Sequence, residues 1–290
     1  MTIADKITPK ASVDIRDMTI GIAGFGHLGQ SLAVPLVRNS FPKENLRISH
    51  GTSETTRRRA ESLGFGGQIR DTARLFAESD VIIAAVRPQD ALFLPVSFIK
   101  RGALVISCMA GLPSDLLRAI FGAEVHRMMC SGPDTILSGK GAAVTYPGDE
   151  TVKDLLEMMG MRVVDVGFEE ELDAFTVGIC IPAILLNIDV PEEDVKAGVS
   201  RMKERYPVYG FLGDWIESVT EKDIPDRMLR LAGVSTKGGV TEAMTASLSA
   251  GASFACALER GMERGREITS DIRRNVTASV RMAGQRASVS

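Results

Sequence analysis

Met18-Thr19-Ile20-Gly21-Ile22-Ala23-Gly24-Phe25-Gly26-His27-Leu28-Gly29 decides the reading of this chain. A short apolar run leads into Gly-x-Gly-x-x-Gly, and Gln30-Ser31-Leu32-Ala33 carries on at helical spacing. Strand, glycine turn and helix in that order are the context that a dinucleotide-binding loop requires. In such a loop Gly24 makes the tight turn, Gly26 lets the backbone approach a pyrophosphate, and Gly29 lets helix and strand pack closely. Phosphates then meet the free N–H groups and the positive dipole end of the helix, so Phe25, His27 and Leu28 join the three glycines as candidate cofactor contacts. The plainer reading is an ordinary glycine turn.

Downstream, Leu46-Arg47-Ile48-Ser49-His50 reads as a second strand, followed by a helix over residues 54–63. An NAD enzyme places an acid at the end of that strand for the ribose hydroxyls, whereas a 2′-phosphate needs hydroxyls and positive charge. Thr52, Ser53 and Arg57 stand there, and Glu54 falls one or two places late, so NADP is favoured over NAD. Arg57, Arg58 and Arg59 also read simply as the solvated face of a helix. Asp80-Val81-Ile82-Ile83-Ala84-Ala85-Val86 and Ala103-Leu104-Val105-Ile106-Ser107 are continuous apolar runs, the pattern of parallel strands covered on both faces. Their C-terminal loops open toward the ligand crevice of such a sheet, which makes Val86, Arg87, Pro88, Ala110 and Gly111 candidate cofactor contacts. Runs at 124–129, 141–146 and 162–166 complete the strand-rich part. Alternating strands and helices predict an α/β fold, a Rossmann-like doubly wound sheet.

Past residue 168, Ala, Leu, Met, Glu and Lys at helical spacing predict an all-helical second half, with a helix start at Pro191. Residues 241–264 read as one helix whose small side chains, among them Ala243, Ala246, Ala250 and Gly251, suit close approach by a second subunit. The expected organisation is a loose arm at 1–17, a dinucleotide-binding domain at 18–167, and a substrate and dimerisation domain at 168–290.

Composition narrows the function classes. The chain has 290 residues, long enough for two domains. Lys plus Arg number 34 against 37 Asp plus Glu, and aromatics make up 5%, so neither a nucleic acid nor an anionic membrane is an expected partner. Cys108, Cys130, Cys180 and Cys256 are widely spaced and the histidines add no zinc spacing, so no metal site is expected and each cysteine reads as a small buried apolar residue. No signal peptide or membrane-length apolar run is visible, and a reducing cytoplasmic location is expected.

From about Thr19 to Gly261 the residues resemble the pyrroline-5-carboxylate reductase family, which reduces a cyclic imine to proline with NAD(P)H. Val86-Arg87-Pro88-Gln89 is similar to the family's Val-Lys-Pro-Gln turn, and Ala110-Gly111 to its Ala-Gly pair. Val234-Ser235-Thr236-Lys237-Gly238-Gly239-Val240-Thr241 resembles the family's Ser-Pro-Gly-Gly-Thr-Thr at the mouth of a helix. By that resemblance Thr236, Gly238, Gly239 and Thr241 bind substrate. Lys237 and Glu242 join Thr241 as the candidate catalytic set, although Lys237 stands where the family has Pro and either adds a cation beside an acid substrate or points to solvent. Gly238 and Gly239 can also bare N–H groups for a carboxylate, or form only a helix-start turn capped by Thr241.

Two segments depart from the family. Ser131 takes the place of an Asn beside the nicotinamide ribose, and Gly178-Ile179-Cys180-Ile181-Pro182-Ala183 replaces Gly-Ser-Gly-Pro-Ala-Tyr. The implied activity is NADP-dependent reduction of a cyclic imine carboxylate, pyrroline-5-carboxylate or a relative, by a homodimer or higher homo-oligomer. The alternatives are a different imine or carbonyl acid as substrate, or a nucleotide-binding regulatory paralogue without catalysis. Reduction of a 3-hydroxy acid is the weaker enzyme reading, because residues 175–187 lack the lysine that such enzymes carry there.

Overall fold

The computed structural model describes residues 14–220 and 238–287, with side chains described through residue 278. Seven strands form one sheet: β1 (Ile20–Ala23), β2 (Leu46–Ser49), β3 (Val81–Ala84), β4 (Leu104–Ser107), β5 (Val125–Cys130), β6 (Gly141–Tyr146) and β7 (Met161–Asp165). Their spatial order is β2-β1-β3-β4-β5-β6-β7. The first five are mutually parallel; β6 runs antiparallel to β5, and β7 pairs parallel with β6. Every residue of β1 and β3 is buried, as expected of strands covered on both faces.

Between the strands lie α1 (His27–Arg38), α2 (Glu54–Ser62), α3 (Thr72–Glu78), α4 (Ser114–Phe121), α5 (Pro133–Leu137) and α6 (Glu150–Met158). Three of them start on a side-chain cap: Ser53, Asp71 and Asp149 accept from the N–H groups of Thr56, Arg74 and Val152. Pro35 lies inside α1, buried. The winding reverses between β1 and β3, since β1 has β2 on one side and β3 on the other. Open α/β sheets bind their ligands at the carboxyl ends of the strands at such a reversal.

The rest of the described chain is helical: α7 (Glu170–Gly178), α8 (Ile181–Leu185), α9 (Glu192–Arg205), α10 (Val208–Val219), α11 (Val240–Ser249) and α12 (Phe254–Ala287). They share a core that includes Phe175, Ile181, Tyr209, Leu212, Met244, Phe254 and Leu258.

Three expectations are corrected. Residues 241–264 are not one helix, because Gly251 adopts φ +85° and the chain turns between Ser249 and Phe254. Residues 14–17 of the arm form a short turn with Ile15 buried in the sheet core, while residues 1–13 lie outside the described residues. Cys256 is exposed, unlike Cys180, because it lies on the outer face of α12.

The long α12 also returns to the sheet. Val276 packs with Met109, Leu112 and Leu117, and Arg273 Nη2 lies 2.9 Å from Asp115 Oδ2. A side chain at Gly111 would meet Ile272 Cδ1 at 2.7 Å, so the loop after β4 is pressed against this helix.

Candidate active site

The glycine loop is shaped by contacts that leave no room for side chains. Gly24 has φ +99°, and a Cβ there would lie 2.5 Å from Ala85 O, so the loops after β1 and β3 touch. At Gly29 a Cβ would lie 2.1 Å from Gly24 O, which binds α1 closely to the turn before it. The N–H groups of Gly24 and Phe25 both donate to Ser49 O, at 3.1 and 2.9 Å, and the Phe25 ring is buried edge-on against Phe65. These two amides are therefore occupied, and the first turn of α1 supplies the free donors. Its N-cap, Gly26, carries no side-chain cap, and nothing lies within 4 Å of where a Cβ would point. An uncapped helix start facing open space fits the pyrophosphate of a dinucleotide.

At the end of β2, Thr52, Ser53 and Arg57 are exposed. Arg57 Nε lies 3.2 Å from Glu61 Oε1 and its Nη1 lies 3.8 Å from Glu54 Oε2, while Arg58 Nε lies 3.4 Å from Glu54 Oε1. After β3, Arg87 is exposed and donates to Asp90 at 2.8 Å, and Val86 packs on the core beside Ala91 and Leu112.

A cavity of about 740 Å3 lies between the sheet and the helices. From the sheet side it is lined by Leu28, Pro88, Ala110, Gly111 and Ser131, and from the helical side by Gly239 and Thr241. Ser131 is buried; its Oγ accepts from Thr135 Oγ1 at 2.7 Å and from Ala142 N at 3.0 Å. Thr241 is buried and hydrogen-bonds the Cys180 side chain, whose Sγ donates to Thr176 O at 3.2 Å. Burial pushes the Cys180 thiol up to about 11, with the Thr241 bond acting the other way, so the thiol stays protonated at neutral pH.

Not every expected residue faces this cavity. Glu242 is exposed and accepts from Gly238 N at the start of α11, while Arg264 Nε donates to Gly238 O at 2.7 Å. Its carboxylate thus holds the turn into the helix and is not among the residues that line the cavity. Thr236 and Lys237 lie outside the described residues.

Several lining residues have no signature in the sequence. Asp173, Thr176, Val177 and Cys180 are spaced three, four and seven residues from the first, one face of α7 and its end, and all line the cavity. Met262, Gly265, Ile268 and Thr269 of α12 close it from above. A small-residue spacing, Gly261, Gly265 and Thr269, was the available signal, obscured by the charged residues between. Below the cavity Arg127, almost fully buried, donates to Glu169 Oε1 at 2.7 Å. Burial opposes ionisation of Glu169, but bonds from Ser114 and Arg127 outweigh it and hold the carboxyl below its usual range. Asp173 is the opposite case: burial raises its carboxyl, and Arg127 and Arg266 pull it back only partly. Among the described residues no cluster of three or more His, Cys, Asp or Glu could hold a metal ion, and no helix is long and apolar enough to cross a membrane.

Residues 19–111 match the family model described as NADP oxidoreductase coenzyme F420-dependent. The pyrroline-5-carboxylate reductase of Aquifex aeolicus is 29% identical over 170 residues, covering 56% of this chain and 62% of that protein. The match thus spans less than two thirds of the relative's length. A pyrroline-5-carboxylate reductase structure from Coxiella burnetii superposes with a TM-score of 0.57 at 17% identity, over 87% of this chain and 98% of that one. The chain is thus similar to pyrroline-5-carboxylate reductases in part of its sequence and in its fold. The Plasmodium falciparum enzyme with NADP bound gives a TM-score of 0.54 at 19% identity, over 88% and 99% of the two chains. A 3-hydroxyisobutyrate dehydrogenase from Mycobacterium tuberculosis gives 0.53 at 16% identity, over 88% and 94%, so the fold is shared with enzymes of other chemistry.

Proposed function

We propose that this chain is a reductase of a cyclic imine carboxylate, with NADPH as donor and pyrroline-5-carboxylate as the first candidate substrate. The observation that carries this reading is the single cavity that joins Pro88, Gly111 and Ser131 from the sheet to Gly239 and Thr241 from the helices. A reduced nicotinamide dinucleotide supplies a hydride when bound. The first turn of α1 holds its pyrophosphate, and Thr52, Ser53 and Arg57 receive the adenosine ribose and its 2′-phosphate. Gly239 offers a backbone donor to the substrate carboxylate, and Thr241 a hydroxyl. Between them the apolar walls exclude water and fix the two reactants at reacting distance, which is the main catalytic contribution of such a site.

On this reading residues 18–167 form the cofactor domain and 168–290 the substrate and dimerisation domain. The exposed small residues Ala246, Ala250 and Gly251 suit a second copy of the chain, and a cytoplasmic location suits the free thiols. One observation favours a bulkier, more apolar imine as substrate: Ile179, Leu186, Trp215, Val219 and Met262 line the helical side of the cavity.

The test is consumption of NADPH by the purified protein with pyrroline-5-carboxylate and, in parallel, its six-membered homologue, with NADH as the competing donor. Turnover of either imine supports the reading. NADPH binding without turnover of any cyclic imine overturns the reductase assignment and leaves the regulatory alternative.

A further inference from the structure

We propose that Asp173 is the anionic anchor for a positively charged nitrogen of the ligand that fills the interdomain cavity. This deepens the imine reductase reading and rests on it for the identity of that nitrogen, a protonated carbon–nitrogen double bond.

Asp173 lies on the cavity-facing side of α7, one turn before Thr176, and Cys180, Thr241 and Thr269 line the same cavity. Among the described residues that line the cavity, Asp134 and Asp173 carry charge, and neither Lys, Arg nor His does. Asp134 is exposed at the start of α5, whereas Asp173 is half-buried. No described residue donates a hydrogen bond to Asp173. Its neighbours in the acidic run are all placed otherwise: Glu169 takes Arg127 and Ser114, and Glu171 accepts from Val208 N at 2.8 Å and Gly167 N at 3.1 Å. The charged groups that act on Asp173 are Arg127 of β5, Glu169 and Glu170 at the head of α7, and Arg266 of α12. Arg127 directs Nη1 to Glu169, so it attracts Asp173 without bonding it.

A carboxyl partly withdrawn from water with no hydrogen-bond donor beside it is harder to ionise. A cationic ligand removes that cost by supplying the missing charge, so the site is selective for a cation over a neutral molecule of the same shape. In a reductase the same contact places the positive nitrogen, and the carbon bonded to it, at a fixed point on the helical wall. The Thr241 hydroxyl and the Gly239 amide then take the other end of the molecule.

The experiment is calorimetric titration of the full chain saturated with NADP, using L-proline and cyclopentanecarboxylate as probes. The two share ring size and carboxylate and differ in the ammonium. Wild type binds proline more tightly by about tenfold or more, and Asp173→Asn, which keeps the shape, removes the difference while leaving NADP affinity unchanged. Absence of a preference in wild type overturns the proposal, as does a preference that persists in D173N. Turnover assays run beside it separate the two readings. A nitrogen preference that depends on Asp173 in a protein that reduces no imine sinks the reductase assignment alone. Imine reduction with kcat/KM unchanged in D173N sinks the anchor alone.

Discussion

Arg127 Nη1 and both the backbone N–H and Oγ of Ser114 converge on Glu169 Oε1, each at 2.7 Å. One carboxylate oxygen thus joins β5, the start of α4 and the segment entering α7, which ties the sheet to the helices beneath the cavity. Glu169→Gln leaves the Arg127 guanidinium, 5% exposed, without its counter-charge. The expected loss is about 1.5–3 kcal/mol, the range for a hydrogen bond to a charged group, measured by denaturant unfolding. Because Glu169 sits below its ordinary value of 4.5, its contribution is present above pH 4.5 and fades as pH falls through the depressed value. Wild type and E169Q therefore converge in acid; a gap that widens there contradicts the assignment.

Gly26 and Gly29 separate binding from folding. A Cβ at Gly26 meets nothing within 4 Å, while one at Gly29 lies 2.1 Å from Gly24 O. Gly26→Ala is expected to melt with wild type yet bind NADPH more weakly by about tenfold or more, because on the proposed reading its methyl enters the space taken by the pyrophosphate. Gly29→Ala is expected to lose stability as well, by about 1–3 kcal/mol, the usual cost of forcing atoms into a packed site. Equal NADPH affinity in wild type and G26A removes the pyrophosphate from this loop.

The glycine loop and the buried strands were legible because each depends on local pattern: an apolar run, a turn residue, a helical face. Direction within the sheet was not. The run 141–146 has the same apolar character as β3, yet β6 runs against β5, since the short α5 connection returns the chain alongside instead of crossing over. The acidic run from Glu169 to Asp173 shows the harder limit. Such runs read as a solvated face. Here Glu169 pairs with buried Arg127, Glu171 caps the start of α10, Asp173 faces the cavity and Glu170 is exposed. Only packing of α7 against β5, β6, α10 and α12 distinguishes the four.

Thr241→Ala tests the substrate wall. Its hydroxyl lies in the cavity and bonds the Cys180 side chain. On the proposed reading the hydroxyl turns from the Cys180 sulfur to the substrate carboxylate, so its removal is expected to raise KM for the imine by about tenfold with kcat changed less. An unchanged KM moves the substrate away from the mouth of α11.

Asp173→Asn carries a sign that an ordinary structural residue does not. The folded carboxyl is raised because burial disfavours its charge, so the protonated form stabilises the fold. That stability is complete below the ordinary value of 3.8 and is lost as pH rises through the raised value. The neutral amide escapes the loss. D173N is therefore expected to melt above wild type at neutral pH and to approach it in acid, while losing ligand selectivity. A melting temperature below wild type at neutral pH marks Asp173 as structural instead.

Arg57→Ala tests the proposed preference for NADPH over NADH. In the structure it is shared by Glu54 and Glu61, at 3.8 and 3.2 Å, both half-exposed pairs of the kind that contribute little to stability. A 2′-phosphate arriving beside Ser53 offers a stronger, doubly charged partner, and the guanidinium can leave Glu61 for it at little cost. Arg57→Ala is expected to weaken NADPH by about tenfold, leave NADH affinity unchanged and keep the melting temperature, all read by titration at fixed ionic strength. Equal losses for both dinucleotides place Arg57 elsewhere than at the 2′-phosphate and return the choice of cofactor to Thr52 and Ser53.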